Sequence, residues 1–232
     1  MGGPCRIVEP GKPHTQAPPC TDNFQVKQFM FDGREWESVE QCYQAMKFTK
    51  VEVQEKLRAI KKKPKDKDSK HGMDVWNEGQ RYTCLRPDWD AVKVEMMYRA
   101  NFAKFKQHSD LQEELLSLGN VELVGAPSTS WKTKSGMVNW SVWNGRIQTR
   151  IREELRPASE QRKDMLAALV KEFEDYLTTE GGATLPIPEV DGAAVGTAAA
   201  AASTAAAAST AVPASEVATT ATTATADTAP AS

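Results

Sequence analysis

The chain has 232 residues, of which 40% are hydrophobic, with 29 basic and 31 acidic side chains. This length is enough for one sizeable domain with extensions. All the basic residues precede Gly181, whereas five acidic residues lie at Glu180 or beyond, so the preceding part of the chain carries a small positive excess. The excess suits a phosphate-bearing ligand, but it is well below the strongly basic footprint of a dedicated nucleic-acid-binding domain.

The cysteine spacing and the lack of long apolar segments argue against a zinc-binding, secreted or membrane-spanning protein. No CxxC pair and no zinc-binding spacing occurs among Cys5, Cys20, Cys42 and Cys84. The N-terminus has no apolar signal core, Arg6 stands where a myristoylation motif requires Ser or Thr, and no apolar run approaches membrane-spanning length. We expect a reduced intracellular protein, cytoplasmic or nuclear, with no metal, cofactor or membrane partner and with its oligomeric state left open.

The first regular elements are a hairpin and a short helix. Phe24–Phe31 and Arg34–Glu37 are apolar-alternating runs on either side of Asp32-Gly33, which is a typical type I′ turn sequence. Ser38 followed by Gln41 is a capping box, so the helix is predicted from Ser38 to about Phe48. Before the hairpin, residues 1–22 are rich in proline and predicted to be mostly irregular, with Cys5–Val8 as the one candidate strand.

The middle of the chain alternates helices with a charged loop. A second helix is predicted over Val51–Ile60, and the lysine-rich run Lys61–Lys70, broken by Pro64, follows it. Such a run is a solvated loop in most proteins; the alternative is a phosphate-steering loop beside the site. Asp88 is predicted to cap a long helix that ends near Lys106 and is buried on much of its circumference, because two apolar stripes run along it.

Further helices and one strand complete the pattern. Ser109 and Gln112 predict a capped helix that Gly119 ends, and Val121–Val124 reads as a short strand. Asn144 is predicted to cap the next helix, and a last one is expected over Ser159–Leu177, ended by Gly181-Gly182. From Gly181 onward the chain is low-complexity and rich in Ala and Thr, which predicts a disordered tail over residues 181–232.

The helix after the hairpin carries an acid and an amine on one face. Glu40, Gln44 and Lys47 are spaced i, i+4, i+7, with Tyr43 beside them. Taken alone, a first-turn Glu and a Lys near a helix end are more often surface residues that stabilise the helix. The helix N-terminus predicts a lowered pKa for Glu40, which suits a charge stabiliser or a base. A desolvated Lys47, placed between Met46 and Phe48, loses its proton readily and can attack a carbonyl carbon.

Two blocks of residues resemble a known family. The first block comprises Asn23-Phe24, Asp32-Gly33, Trp36, Ser38, Glu40, Tyr43-Gln44-Ala45 and Lys47-Phe48. The second runs from Leu85 to Lys93, continues with Met96-Met97, Ala100 and Ala103-Lys104-Phe105, and is followed by Leu111–Val124, Asn144-Gly145 and Arg152–Leu155. Several motifs in this order are similar to the NADAR (YbiA-like) family of N-glycosidases, which include guanine de-ADP-ribosylating hydrolases.

The resemblance implies a fold and a set of domain boundaries. It covers residues 23–156, for which it implies a single YbiA-like α+β domain, predominantly helical, with a small β-sheet and hairpin. Residues 157–180 then form an added C-terminal helix, between this domain and the low-complexity tail.

The resemblance also implies roles for individual residues. Glu40 matches the family's catalytic Glu, and Lys47 matches the lysine taken to act at the ribose anomeric carbon through a Schiff base with the opened sugar. Trp89 is either a stacking surface in the ligand pocket or a core anchor. Further substrate-binding residues, expected to include ribose and phosphate contacts, are Asn23, Tyr43, Gln44, Arg81 and Asn144. The cluster Trp131, Trp140 and Trp143 is expected to wall the pocket or to cover a core edge.

Two departures from the family pattern bear on the activity. Gln41 stands where the family usually has His, and the loop from Gly125 to Lys132 is two residues shorter and lacks the family's Asp. The function implied is removal of ADP-ribose from guanine bases of nucleic acid, with ADP-ribosylated nucleic acid or nucleotide as the partner. One alternative is hydrolysis of ribosylamino-pyrimidine intermediates of riboflavin synthesis, which we rank second because the sequence suggests no second enzyme domain. Another is a binding module that recognises ADP-ribose without cleaving it.

Overall fold

The computed structural model describes residues 3–182, and these form a predominantly helical α+β unit with small sheets, as predicted. The predicted tail, apart from Gly181 and Gly182, lies outside the described residues. The helices are α1 (Val39–Met46), α2 (Val51–Arg58), α3 (Asp68–Gly79), α4 (Trp89–Gln107), α5 (Ser109–Leu116), α6 (Trp140–Leu155) and α7 (Lys163–Glu180). The strands are β1 (Arg6–Val8), β2 (Thr15–Gln16), β3 (Val26–Phe31), β4 (Arg34–Ser38), β5 (Glu122–Val124), β6 (Ser130–Thr133) and β7 (Gly136–Asn139).

The strands form one three-stranded sheet and two hairpins. Strand β1 lies between β2 and β5, antiparallel to both, with Ile7 opposite Leu123. The N-terminal segment is therefore more regular than predicted, since it holds β2 and the 3-10 helix Pro19–Thr21 besides the expected strand β1. The hairpin β3–β4 turns at Asp32 and Gly33, whose φ angles of 53° and 67° confirm the type I′ turn. The hairpin β6–β7 has no counterpart among the elements that the sequence predicts.

Helix α1 lies at the centre of the core and begins where the sequence predicts. The Ser38 hydroxyl accepts a hydrogen bond from the backbone N–H of Gln41 at 3.2 Å, so the cap is confirmed. The Gln41 side chain bonds the N–H of Glu37, one residue before the cap. Its amide nitrogen donates to the carbonyls of Leu57, Arg58 and Ile60, which ties α1 to the end of α2.

Helix α3 is the one α-helix within residues 3–182 that the sequence did not predict. Gly72 and Gly79 lower the helix propensity of this segment, yet both are sites of close approach. A Cβ at Gly72 would clash with the Phe24 ring, and a Cβ at Gly79 would clash with the side-chain oxygen of Gln44. The glycines that hide α3 in the sequence are thus the residues that allow it to pack beside α1.

Helix α6 begins earlier than predicted, at Trp140. Its cap is Asn139, whose side-chain oxygen accepts the N–H of Ser141 at 2.7 Å, so the prediction of Asn144 as the cap is wrong. Gly145 lies inside α6, because the helix passes so close to β5 that a Cβ there would clash with the Leu123 carbonyl. Helix α4 begins after Asp88, as predicted, but the Asp88 side chain does not cap it. The carboxylate binds Arg86 instead of a backbone N–H of the helix.

The core is continuous across the described helices. Its largest fully buried apolar side chains are Trp36, Tyr43, Phe48, Phe105, Leu57, Met97, Leu115, Ile147 and Ile151. Helix α7, the predicted added helix, contacts α4 and α6 through Phe173 and Tyr176 and ends at Gly181 with φ 86°. No helix within residues 3–182 is both long enough and apolar enough to cross a bilayer.

Candidate active site

All eight residues of α1 are buried, so its polar side chains face protein rather than water. The helix packs against α2, α3 and α4 and directly follows β4. The backbone N–H of Glu40, in the first turn, donates to the carbonyl of Asn23 at 2.9 Å. Glu40 and Gln44 are joined by a hydrogen bond, which confirms that they share the predicted face.

The Glu40 carboxylate is fully buried and only half paired. Its Oε1 accepts a hydrogen bond from Gln44 Nε2 at 2.6 Å, whereas Oε2 has no partner within residues 3–182. Burial raises the pKa of Glu40, and the Gln44 hydrogen bond and the Lys47 charge oppose that rise only in part. The sequence predicted a lowered pKa, so this prediction is wrong, because loss of water around the carboxylate outweighs the helix N-terminus. A raised pKa suits a proton donor.

The Lys47 amine lies at the other end of α1 and is also buried, with 9% of the residue exposed. Its Nζ is 5.6 Å from the centroid of the Tyr43 ring, and in the described chain it has no hydrogen bond or ion pair. Burial lowers the pKa of Lys47 to about 8; the Glu40 charge acts against this shift and the Lys93 charge adds to it. Burial therefore favours the neutral form of both the acid and the amine, which is the pair needed to protonate a leaving group and attack a carbon.

Aromatic rings surround this pair. The Tyr43 ring centroid lies 5.0 Å from that of Trp89 and 5.5 Å from that of Trp140, and the Trp131 ring lies 4.7 Å from Trp140 at a tilt of 37°. Trp89 is 7% exposed, so it is a core residue that also borders the site. Of the predicted tryptophan cluster, Trp131 and Trp140 extend the wall beside Tyr43. Trp143 packs on the Phe173 and Tyr176 rings of α7.

Lys93 is a site neighbour that the sequence analysis did not single out. It follows Trp89 by one helical turn, and this i, i+4 spacing was the available signal. Its Nζ lies 4.6 Å from the Trp131 ring centroid and pairs with Asp90 at 2.8 Å. Burial lowers the pKa of Lys93, and the hydrogen bond to Asp90 opposes the shift.

A chain of buried amides runs behind α1. Asn23 donates to Asn144 at 3.2 Å and accepts from Asn101 at 2.9 Å, and Gln148 donates to Asn101 at 3.0 Å. Asn144 therefore lies in the interior of α6 and offers no helix N-terminus to a phosphate. Sequence reasoning missed Asn101 and Gln148, which look like ordinary polar residues of amphipathic helices. The Asn23 carbonyl also accepts the Glu40 backbone N–H, so this row of buried amides holds the start of α1, from which the carboxylate extends.

The remaining predicted residues divide between the site and the surface. The Gln44 side chain contacts Glu40 through its amide nitrogen and lies close to Gly79 through its oxygen. That oxygen is buried without a hydrogen-bond partner among the described residues. Arg81 is exposed over 75% of its side chain and pairs with Glu78 at 3.1 Å, and in the described chain it has no hydrogen bond or ion pair with Glu40 or Lys47. Within residues 3–182, no group of three or more His, Cys, Asp or Glu side chains is arranged to hold a metal ion.

Comparison with known proteins gives the family. The model of the NADAR domain matches residues 10–156. The chain belongs to the NADAR domain family. The chain is 32% identical over 143 residues to N-glycosidase Npun_R5314 of Nostoc punctiforme, an alignment that covers 59% of this chain and 85% of that protein. It is 31% identical over 102 residues to N-glycosidase YbiA of Escherichia coli, covering 44% of this chain and 59% of that protein.

Two further similarities complete the comparison. Riboflavin biosynthesis protein VVA0006 of Vibrio vulnificus is 32% identical over 136 residues, 58% of this chain and 35% of that protein. The chain spans about three fifths of the length of the YbiA relatives that it matches. Among solved structures, the NMR structure of Escherichia coli YbiA aligns with a TM-score of 0.42 at 25% identity, covering 66% of this chain and 79% of that one.

Proposed function

We propose that this chain is an N-glycosidase that hydrolyses the bond between the anomeric carbon of a ribose and an exocyclic amine. The proposed substrate is ADP-ribose attached to the amino group of guanine in nucleic acid. Membership of the NADAR family and the N-glycosidase names of two relatives support the reaction class. The observation that carries the proposal is a buried carboxylate, Glu40, with an unpartnered oxygen in the first turn of α1, and the unpaired, buried amine of Lys47 at the C-terminal end of the same helix, directly after Met46.

An unpaired buried polar atom costs folding free energy, about 1–3 kcal/mol and more for a charged group. Such a group at a site is satisfied by a ligand or by ordered water. The carboxylate has no exposed surface, so side chains around it must rearrange before a ribose can reach Oε2. A non-catalytic ADP-ribose-binding module needs neither a carboxylate nor an amine at the anomeric carbon, which argues for an enzyme.

The proposed reaction uses the two groups in sequence. Glu40 gives a proton to the ring oxygen as the ribose opens, which leaves an iminium between its C1″ and the base nitrogen. The neutral Nζ of Lys47 then adds to C1″, forming a new C–N bond. Glu40 carries a proton from Nζ to the base nitrogen, and the bond from C1″ to the base breaks with its electron pair staying on the released amine.

Water completes the cycle. It adds to C1″ of the imine with Lys47 and returns a proton to Glu40, and the bond from C1″ to Nζ breaks to regenerate the amine. The products are ADP-ribose and the nucleic acid with its guanine amine restored, with no oxidant or reductant consumed. In this scheme Trp89 and Tyr43 supply flat surfaces against which the base or sugar stacks. All four cysteines are free thiols, which supports the expectation of a reducing, intracellular site of action.

The test is incubation with a single-stranded oligonucleotide that carries one ADP-ribosylated guanine, followed by mass spectrometry of the products. We expect free ADP-ribose and an unmodified oligonucleotide from the native chain, and intact substrate from Glu40→Gln. An intact substrate after incubation with excess native protein contradicts the assignment. If the protein binds ADP-ribose in a calorimetric titration but releases none, the binding module is the correct interpretation.

A second substrate class has one observation in its favour. The relative from Vibrio vulnificus is named as a riboflavin biosynthesis protein, which supports a ribosylamino-pyrimidine as the substrate. Both substrates place an amine on the ribose anomeric carbon, so the same two groups serve either reaction. Parallel assays with the two substrates at equal concentration decide between them by the ratio of kcat/KM.

A further inference from the structure

The segment between α2 and α3 carries five lysines within seven residues, 61 to 67, and is called the basic loop here. Two of these lysines are paired with acids. Lys61 Nζ lies 3.2 Å from Glu37, and Lys62 Nζ lies 2.7 Å from Asp68. The other three are exposed, and their ammonium groups have no hydrogen bond or ion pair with any described residue: Lys63, Lys65 and Lys67.

The backbone of the basic loop is anchored beside the first turn of α1. The N–H of Lys62 donates to the Glu37 carboxylate at 2.9 Å, three residues before Glu40. The carbonyl of Ile60, just before the loop, accepts from Gln41 at 2.8 Å and lies 3.1 Å from Nε2 of His71. The loop is therefore held by the residue that follows Glu40 in the chain.

The tip of the basic loop is a tight turn. The N–H of Asp66 donates to the carbonyl of Lys63 at 3.0 Å, with Pro64 at the second position of the turn, where its fixed φ is favourable. The turn holds Lys63 and Lys65 near each other, and Lys67 follows directly before α3. Asp66 supplies one opposing charge within the turn.

The basic loop differs from the rest of the described surface in the clustering of its unpaired lysines. Lys106 and Lys163 are also exposed without an ion pair to a described residue, but they are far apart in the sequence. Lys27, Lys70 and Lys171 are also on the surface, and each pairs with an aspartate. Three like charges on a short anchored loop repel one another and contribute nothing to folding through ion pairs. A polyanion that follows the loop supplies the missing partners, since ammonium groups neutralise successive phosphates.

We propose that Lys63, Lys65 and Lys67 bind the phosphodiester backbone of a single-stranded nucleic acid whose modified base enters the site at Glu40. This inference rests on the proposed function and adds which residues hold the nucleic-acid strand outside the site. A single strand is specified because a base must leave the duplex stack before its amine can reach a buried carboxylate. The acids that neutralise Lys61 and Lys62 hold the loop, and the three free ammonium groups form the contact surface.

The experiment compares two substrates and two matched triple variants. The substrates are an ADP-ribosylated guanosine nucleoside and the same modified base within a single-stranded dodecanucleotide. One variant is Lys63→Gln/Lys65→Gln/Lys67→Gln, and the control with equal charge loss is Lys12→Gln/Lys106→Gln/Lys163→Gln, at exposed lysines outside the loop. We expect the native chain and the control to favour the oligonucleotide about tenfold or more in kcat/KM at low salt.

The basic-loop variant should lose this preference while its kcat/KM on the nucleoside stays unchanged. For the native chain, log kcat/KM on the oligonucleotide should fall with log salt at a slope of about −2, because each of three neutralised single-strand phosphates contributes about −0.7. The slope of the basic-loop variant should approach that of the nucleoside. An equal preference for the oligonucleotide in the native chain and the basic-loop variant overturns the proposal and leaves the N-glycosidase assignment intact.

A binding measurement separates the two assignments if no substrate is cleaved. Fluorescence anisotropy of a labelled, unmodified single-stranded dodecanucleotide tests the basic loop alone. The titration uses about 10 mM salt, where the Debye length is about 30 Å and phosphate contacts are strong. Weaker binding by the basic-loop variant than by the control supports the loop even though the proposed function has failed. Equal binding by both variants overturns it.

Discussion

Two buried lysines have pKa values that burial lowers, yet their surroundings differ. Burial lowers the pKa of both Lys47 and Lys104 to about 8. Lys104 Nζ donates to the carbonyl of Cys20 at 2.8 Å, lies 3.5 Å from the side-chain oxygen of Gln25, and lies over the Phe105 ring. Lys47 Nζ has only the Tyr43 ring, at 5.6 Å, and no hydrogen-bond acceptor within residues 3–182.

The difference shows that a lowered pKa does not by itself identify a reactive amine. Burial produces the shift in any lysine that a core encloses. What separates the two residues is the set of hydrogen-bond partners: Lys104 joins α4 to the N-terminal segment, whereas Lys47 holds its amine free for another molecule. The same criterion separates Glu40, which has an unpartnered oxygen, from Glu37, whose carboxylate binds Lys61 and the backbone of Lys62.

Replacing each lysine with Met tests this comparison most strongly. Lys47→Met should lower kcat on the cleavable substrate by at least about a hundredfold and abolish the adduct that borohydride traps from an imine, with the free energy of unfolding at pH 7 kept or raised. Lys104→Met should keep kcat per folded molecule and lose about 1–3 kcal/mol of unfolding free energy, because the Cys20 carbonyl loses its donor. Borohydride trapping with intact-protein mass spectrometry and chemical denaturation give the two readouts.

Lys47→Arg is the control for charge, since a guanidinium stays protonated and cannot form the imine. Normal turnover by this variant would show that Lys47 supplies only a positive charge. Loss of turnover in Lys104→Met, measured per folded molecule, would remove the distinction between the two lysines.

Glu40→Gln should lower kcat by on the order of a hundredfold, because it keeps the shape of the side chain and removes its exchangeable proton and charge. The Kd for ADP-ribose should change little. Glu37→Gln is the matched control: it also alters a buried carboxylate of this segment, but it should lower stability through Lys61 and the basic loop and leave kcat unchanged. Single-turnover kinetics and calorimetry on both variants provide the measurements, and native turnover in Glu40→Gln would refute its role.

The sequence predicts the face of α1 well because the signals there are local. Ser38 and Gln41 set the helix start, and the spacing of Glu40 and Gln44 places them together whatever surrounds them. The direction of the Glu40 pKa shift was not predictable in the same way. It depends on burial by α2, α3 and α4, which the sequence of α1 does not contain.

The missed elements share another physical cause, which is that tertiary contacts outweigh local propensity. Gly72 and Gly79 argue against a helix locally, but α3 needs them in order to approach Phe24 and Gln44. In the sequence, Asn144 followed by Gly145 resembles a helix boundary. In the structure, Gly145 lies inside α6, where the absence of a side chain allows the helix to contact β5. The hydrogen bond between Gln148 and Asn101 forms only because α4 packs against α6, and the sequence of neither helix predicts that contact.

Trp89 tests whether the aromatic wall is part of the core or of the site. Trp89→Ala should weaken ADP-ribose binding by about 1–3 kcal/mol if the indole stacks on the ligand, and Trp89→Phe should keep much of the affinity. Because Trp89 also packs on Tyr43, the Ala variant should lose stability, so calorimetric affinity is measured per folded molecule. Unchanged affinity in the folded fraction would assign Trp89 to the core alone.

The two glycines of α3 offer a smaller, paired test. Gly79→Ala should push Gln44 away from its bond to Glu40 and reduce kcat by a few fold, because a Cβ there meets the side-chain oxygen of Gln44. Gly72→Ala meets the Phe24 ring instead, so it should lower stability by about 1–3 kcal/mol through overpacking and leave kcat per folded molecule unchanged. Equal effects of the two variants on kcat would show that Gln44 does not position the carboxylate.

The smallest effect concerns pH and asks whether burial alone sets both lysine pKa values. A lysine with a pKa of about 8 in the folded state and the ordinary value of 10.5 in the unfolded state binds fewer protons when folded, so stability rises with pH between these values. Each Met variant removes that rise, which is at most about 1.4 kcal/mol per pH unit. We expect urea denaturation from pH 7 to 9.5 to show that the free energy of unfolding of the native chain rises relative to that of each variant, with a similar slope for both.

The absolute levels of these two pH curves should still differ. Lys104→Met loses a hydrogen bond at every pH, whereas Lys47→Met does not, so its curve should lie below that of Lys47→Met by a nearly constant free energy. Subtracting the native curve from each variant removes the buried cysteines and tyrosines, whose raised pKa values act in the opposite direction over this range. Similar slopes with different levels would establish that burial fixes the pKa and that hydrogen-bond partners fix the role. Different slopes would show that nearby charge, such as the Glu40 charge that opposes the Lys47 shift, sets the proton on that amine together with burial.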